Sequence, residues 1–342
     1  MGRASNQAQN KTSELTQLSK DQRENISQAI HAELDKPLTV AIMGQTGVGK
    51  SSLINTLFGT KLEVGDIKPT TKIPEAIKVH GSSGHPLTFW DMPGIGESER
   101  TDQKYLSMYS EKLIECDVVL WAIHIDTRST VFDASALRTI VSNAPSDEQR
   151  TLIAKISFVL TKADLMVPPP WIYIRDSETG KFEPSPKIRE RITEKARYYQ
   201  EALVRPYGAL NSAETYNDGG FSINDPRFKY DDYTVKYDGF MSEEERTRYT
   251  SEHPQFAAVF ERLCDNHRII PCSSLFRYNL VRLMVSIVNK LGESAIGRFQ
   301  RLIGDASTLD IVPVNTMKKY GNIVVWDKRK DRVTFDLDDI KF

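Results

Sequence analysis

Gly44-Gln-Thr-Gly-Val-Gly-Lys50-Ser51 follows directly on the apolar run Leu38–Met43. This is a G-x-x-x-x-G-K-[ST] loop in the strand-then-loop context that gives the motif meaning. Its glycines let backbone N–H groups turn inward around phosphate oxygens, and a helix opening at its end points a positive terminus at the same anion. Lys50 has the reach for β- and γ-phosphates, and the Ser51 hydroxyl can ligate Mg2+. Gln45, Thr46, Gly47, Val48, Gly49 and Ser52 complete the segment expected to wrap a polyphosphate.

Two further motifs lie downstream, each after an apolar run. Leu87–Trp90 leads into Asp91-Met-Pro-Gly94. A carboxylate at the carboxyl end of a neighbouring strand is placed to hold a Mg2+ shell, and Gly94 lets a backbone N–H approach the γ-phosphate. Ile156–Leu160 leads into Thr161-Lys-Ala-Asp164. Guanine presents two N–H donors on one edge, and the Asp164 carboxylate can accept both. Adenine lacks that pair, so an ATP-using enzyme would leave the carboxylate unsatisfied. Lys162 can lay its stem along the base.

These residues need a scaffold that brings strand ends together. Alternating strands and helices predict a mostly parallel, doubly wound sheet with the ligand at the carboxyl ends of its strands. The pattern gives a helix from Ser51 to Phe58 and a strand from Ile73 to His80, antiparallel to Leu87–Asp91. Residues 102–115 read as a helix and Asp117–Ile125 as a buried strand. Asp133 is expected to cap the next helix, which runs through Ala134, Leu137, Ile140 and Val141. Leu280, Leu283, Met284, Ile287, Val288 and Leu291 form one stripe of a last helix stopped by Gly292.

The expected organisation is a polar segment over 1–36, a nucleotide-binding domain over 37–292 and an extension over 293–342. The first segment carries a weak helical stripe, Leu15, Leu18, Gln22, Ile26, Ile30 and Leu34. An insertion occupies about 167–255, opened by Pro168–Pro170, with residues 186–204 helical and a capping box at Ser242–Glu245. Its stretch 206–240 holds Tyr207, Tyr216, Tyr230, Tyr233 and Tyr237 among Asp, Asn and Gly. It reads as a long loop that is either an adaptable recognition surface or a cover for the sheet edge. At the end, Asn322–Trp326 and Arg332–Leu337 flank a charged connector, which suggests a β-hairpin that must dock on this chain, a second copy or a partner.

Composition narrows the classes. The 342 residues carry 45 basic and 46 acidic side chains, a net charge of −1, so no global charge points to nucleic acid and no DNA partner is expected. Three cysteines fit a reducing compartment, and a cytoplasmic location is expected. No apolar stretch approaches the ~20 residues needed to cross a bilayer. His253, Cys264, His267 and Cys272 have zinc-binding types at a spacing that matches no structural zinc site, and His124 reads as a structural histidine.

In the order and context of its motifs the chain resembles the Era-like GTPases, the branch of Ras-like P-loop proteins that includes TrmE, Era, EngA, YihA and septins. Within it the likeness is greatest to the bacterial YeeP/YfjP-like group. It rests on Met43–Asn55, Asp91–Ser98, Asp117–Trp121 and Thr161–Asp164, and resumes over about 268–291. The resemblance implies a Ras-like G domain with one antiparallel strand, a long insertion between the fourth and fifth motifs, and Mg2+-dependent hydrolysis of GTP to GDP. It places the switch threonine at Thr71, 21 residues beyond Lys50, with Thr70 as the alternative, and makes Thr71 a ligand of Mg2+ and of the γ-phosphate. Lys50, Thr71 and Gly94 are then the catalytic set, and Ser51, Thr71 and Asp91 the metal set. Ser273 and Ser274, after Ile269–Cys272, stand where the family meets the guanine carbonyl oxygen through backbone N–H groups.

Ile95 follows Gly94 where Ras-type enzymes place a water-orienting glutamine. Slow turnover is therefore expected, with a partner, a homodimer through the G domain or a monovalent cation completing the site; Gly47, where potassium-stimulated relatives carry asparagine, disfavours the cation. A septin-like assembly element with little turnover is the alternative. The effector, a protein or the ribosome, leaves no basic module in the sequence.

Overall fold

The computed structural model describes residues 36–45, 47–62, 75–80, 86–91, 109–127, 130–167, 170–291, 309–314 and 323–334. Its first part runs β1 (Leu38–Met43), α1 (Lys50–Phe58), β2 (Glu75–His80), β3 (Pro86–Asp91), β4 (Val118–His124), α2 (Val131–Asn143), α3 (Gln149–Lys155) and β5 (Ile156–Thr161). The chain continues through β6 (Trp171–Asp176), β7 (Thr179–Pro184), α4 (Pro186–Leu203), β8 (Ser212–Tyr216), β9 (Phe228–Tyr230), β10 (Thr234–Asp238), α5 (Glu243–Glu252) and α6 (Ala257–Asp265). It closes with β11 (Ile270–Pro271), α7 (Leu280–Val288), β12 (Val312–Pro313), β13 (Ile323–Asp327) and β14 (Arg332–Thr334).

The main sheet has the order β11-β5-β4-β1-β3-β2, parallel except for β2, which pairs antiparallel with β3. Every residue of β5 is buried and β4 is buried up to His124. That is what continuous apolar runs mean in a parallel strand covered on both faces. Leu53, Ile54 and Leu57 of α1 and Leu283 and Ile287 of α7 fill one face. Leu137 and Ile140 of α2, Leu152 of α3 and Ile188, Ile192 and Tyr199 of α4 fill the other. At the far end from the strand tips, Asp117 accepts from the Thr39 N–H and hydroxyl, both at 2.8 Å, and ties β4 to β1 in register.

A second sheet, ordered β12-β7-β6-β13-β14, joins the same core as α2–α4 through Trp171, Tyr173, Phe182, Val312 and Val325. β6 and β7 form a hairpin, and β13 returns to lie parallel to β6 with Ile323 opposite Trp171. β13 and β14 pair antiparallel, so the C-terminal strands dock on this chain. The third sheet, β8-β10-β9, packs with α5 and α6 around its own core of Phe228, Val235, Tyr237, Tyr249 and Phe260.

Several expectations change here. Asp133 does not cap α2: Thr130 is the N-cap residue, and the Asp133 carboxylate accepts from the Trp121 indole N–H at 2.9 Å. Burial raises its pKa, with the indole bond opposing that shift. α7 ends at Val288, four residues before Gly292, and buried Leu291 follows in the turn that closes on Val288. The stretch 206–240 is a small sheet rather than a loop: Tyr237 is buried, while Tyr216, Tyr230 and Tyr233 remain exposed. Residues 15–34, and 102–108 of the expected third helix, lie outside the described residues. The capping box is present, with Ser242 Oγ accepting from the Glu245 N–H and Glu245 Oε2 from the Ser242 N–H.

Arg227 organises the third lobe. Its guanidinium donates to Asp225, Glu245 and the hydroxyls of Tyr237 and Tyr249. The Arg227 bond holds the Asp225 carboxyl well below the usual carboxylate range, helped by the Tyr249 hydroxyl. A depressed carboxylate stabilises the fold above its unfolded pKa near ~4, and that contribution fades as pH falls through the folded value. Arg227→Leu is expected to cost about 1–2 kcal/mol at pH 7, a modest figure because the side chain is more than a third exposed. The cost shrinks below about pH 3. Denaturant titrations at both pH values, with limited proteolysis of the lobe, read it; equal losses at the two values would contradict it.

Candidate functional site

The phosphate loop starts where β1 ends. Gly44 has φ +133°, and a Cβ there would sit 2.1 Å from the Ala122 carbonyl oxygen of β4. Only glycine lets the loop leave β1 so close to its neighbour. Gly44→Ala is expected to destabilise the protein by about 3 kcal/mol, since both the conformation and the space are denied. A thermal-melt loss below about 1 kcal/mol would contradict this geometry. Gly49, at φ +96°, is the N-cap of α1. The loop thus delivers Lys50 and Ser51 into the first turn of that helix, where they are 6% and 7% exposed. Lys50 Nζ donates to the carbonyls of Gly44 (2.9 Å) and Gln45 (3.2 Å), which holds the ammonium against the loop.

The Thr161–Asp164 segment leaves the tip of β5 beside this loop. The Thr161 hydroxyl lies 2.6 Å from the Val48 carbonyl and 3.1 Å from that of Ile123, so it braces the loop from the sheet side. Lys162 adopts a left-handed backbone, φ 57°, which turns its side chain across the glycines. Its Nζ donates to the Gly47 carbonyl at 2.6 Å, and its Cε lies 3.5 Å from where a Cβ on Gly49 would stand. Motifs 115 residues apart in sequence are thus joined by direct contact.

Asp164 follows in a short 3-10 turn and is oriented by Ser273, two residues beyond β11. Ser273 Oγ donates to Asp164 Oδ1 and accepts from the Phe276 N–H at 3.0 Å. Ser273 is fully buried, and its backbone N–H donates to the Tyr278 carbonyl. That N–H is thus engaged within the turn, and Ser274 lies half-buried beside it. Ala163 N–H donates to the Cys272 carbonyl and Cys272 N–H to that of Leu160, locking the two segments together. Cys272 is buried and burial pushes its thiol up, so it acts here as a small apolar group.

His124 ends β4 close to the charges of Lys162 and Asp164. Desolvation, then Lys162, lowers its pKa, and its Nδ1 accepts from the Asp126 N–H at 3.1 Å. The backbone of Asp91 ends β3 opposite Ile42, two residues before Gly44. Thr46, Thr70, Thr71, Gly94 and Ile95 lie outside the described residues. Among the described residues no group of three or more His, Cys, Asp or Glu could hold a metal, and no helix is long and apolar enough to cross a membrane. The contacts of Lys162 with Gly47 and of Ser273 with Asp164 had no local signal, because each joins residues more than 100 positions apart.

Residues 39–160 match a family model described as 50S ribosome-binding GTPase. The chain is 33% identical over 146 residues to the uncharacterized protein YfjP of Escherichia coli (strain K12), which covers 42% of this chain and 48% of that one. YkfA of the same strain is 32% identical with the same coverage. GTPase Era of Geotalea daltonii is 30% identical over 128 residues, covering 37% of this chain and 40% of Era. The chain therefore spans about half the length of the first of these relatives, and the family-model match ends at residue 160, just before Thr161.

Proposed function

We propose that this chain is an Era-like P-loop GTPase, which binds GTP and GDP with Mg2+ and hydrolyses GTP to GDP and phosphate as a switch; the GTPase family match over residues 39–160 supports this. One observation carries the reading: Lys162 bridges to the phosphate loop while Asp164, two residues on, is held by Ser273, so the loop expected to grip phosphate and the carboxylate expected to select the base lie side by side. Asp164 accepts the two guanine N–H donors, the Lys162 stem lies along the base, and the Ser274 N–H meets the guanine carbonyl.

The donors suit magnesium. Ser51 and Asp91 offer hard oxygen ligands at the end of the phosphate loop and at the adjacent strand tip, and Thr71 would add a third. Held there, the ion would supply neutralisation of the charge on the phosphates. Lys50 and the loop N–H groups take up charge on the transferring phosphoryl group as water attacks in line, and the Gly94 N–H approaches its oxygens. Ile95 offers no group to orient that water. Turnover is accordingly slow in the monomer, and a second copy or an effector, protein or ribosomal, completes the site.

Calorimetry with GDP and with ADP, both with Mg2+, tests the core of this reading. A 1:1 isotherm with GDP and none with ADP is the expected result. Heat from neither, on folded protein, overturns it. Phosphate release per molecule that rises with protein concentration supports completion by a second copy; a constant rate of several per second overturns the slow-switch reading.

A further inference from the structure

We propose that guanine selectivity in this chain is set by an aromatic clamp, which the β6–β7 hairpin and the C-terminal segment close on residues 273–279. The inference rests on the guanine reading above and adds positioning residues that lie outside the nucleotide motifs. Phe276 stacks on Phe182 of β7, ring centroids 4.1 Å apart and planes within 11°. Trp171 of β6 meets Phe276 and Tyr278 edge-on, at 5.3 and 5.1 Å. Two of these rings belong to the turn that orients Asp164. The Phe276 N–H donates to Ser273 Oγ, which donates to the Asp164 carboxylate. Ser273 and Tyr278 exchange backbone hydrogen bonds of 3.1 and 3.0 Å.

This turn needs an external hold. Arg277 and Asn279 both sit in the left-handed region, at φ 51° and 58°, a conformation that non-glycine residues adopt at some cost. The C-terminal segment supplies part of the restraint. Asp310 Oδ1 accepts from the N–H groups of Leu280 and Val281 at the start of α7, and Arg277 donates to the Ile311 carbonyl. Val312 then pairs with Gly180 on β7, and the Tyr173 hydroxyl donates to the Val312 carbonyl at 2.7 Å. The hairpin that carries Trp171 and Phe182 is thus wedged between the base-side turn and the segment that caps α7. A carboxylate preset in this way binds its partner without paying to be ordered, and loosening the clamp forfeits that advantage.

The clamp acts through Asp164, so its loss falls on the hydrogen bonds that Asp164 makes. GDP offers that carboxylate two N–H donors; inosine diphosphate, lacking the 2-amino group, offers one. Calorimetric titration of the full chain with each ligand gives their affinity ratio, about tenfold in favour of GDP for one hydrogen bond to a charged acceptor. Phe182→Ala and Phe276→Leu are expected to lower that ratio at least threefold, with GDP weakened more than inosine diphosphate. Phe182→Ala touches no residue of the nucleotide motifs, and Phe276→Leu keeps an apolar filler, so one reading stands if the other variant fails to fold. Asp164→Ala sets the floor of the ratio. A ratio unchanged in either folded variant, or equal losses for both ligands, overturns the clamp while leaving guanine binding intact. If the unaltered protein binds neither ligand, the guanine reading itself has failed.

Discussion

Asp164→Asn is expected to weaken GTP binding by a hundredfold to a thousandfold and to admit xanthosine triphosphate. The carboxylate has only acceptors to offer guanine's two N–H donors, whereas the amide turns an N–H2 toward them, so one pair becomes donor against donor. Xanthine replaces the 2-amino group with a carbonyl, which that N–H2 can satisfy. Sites built around a specific hydrogen bond discriminate by about this much, because the mismatched partner leaves a desolvated polar group unpaired. The orientation of the side chain should survive, since Ser273 Oγ can donate to an amide oxygen as it does to Asp164 Oδ1. Competitive titrations of both triphosphates measure the exchange. Unchanged GTP affinity in the variant would show that Asp164 does not meet the base.

Lys50→Ala should reduce single-turnover phosphate release by about a hundredfold to a thousandfold, the usual effect of removing one preorganised charge partner from a transition state. The effect on GDP affinity should be smaller than that on GTP, because the ammonium reaches toward the outer phosphates. Lys50 is buried and donates to the Gly44 and Gln45 carbonyls, so the variant also leaves loop carbonyls short of a donor. Thermal unfolding measured alongside separates that loss from the loss of chemistry. Release within tenfold of the unaltered protein would remove Lys50 from the reaction.

Legibility differed from element to element. β4 and β5 could be read because burial on both faces leaves runs without polar interruption. The Ser242 capping box could be read because both of its hydrogen bonds close within three residues. Asp133 misled because a carboxylate at a helix start has two uses, and a tryptophan twelve residues earlier claimed it. The stretch 206–240 misled because β8–β10 are short and the Asn, Asp and Gly of their turns outnumber the alternating apolar residues. Of the five-stranded sheet the sequence suggested the terminal hairpin and nothing of its partners, since β13 pairs with β6 across some 150 residues.

By itself the sequence determined which groups the chain could offer a nucleotide: a glycine-lined loop with Lys50 and Ser51, Asp91 after an apolar strand, Asp164 after another. Such motifs are local, since each works through backbone conformation and side chains a few residues apart. Only the tertiary structure decided that Lys162 rests on Gly47, that Ser273 donates to Asp164, and that Phe182 and Trp171 pack on Phe276 of the turn that follows Ser273. Those outcomes depend on which distant surfaces bury each other, a sum of many small packing energies that no short stretch of sequence contains.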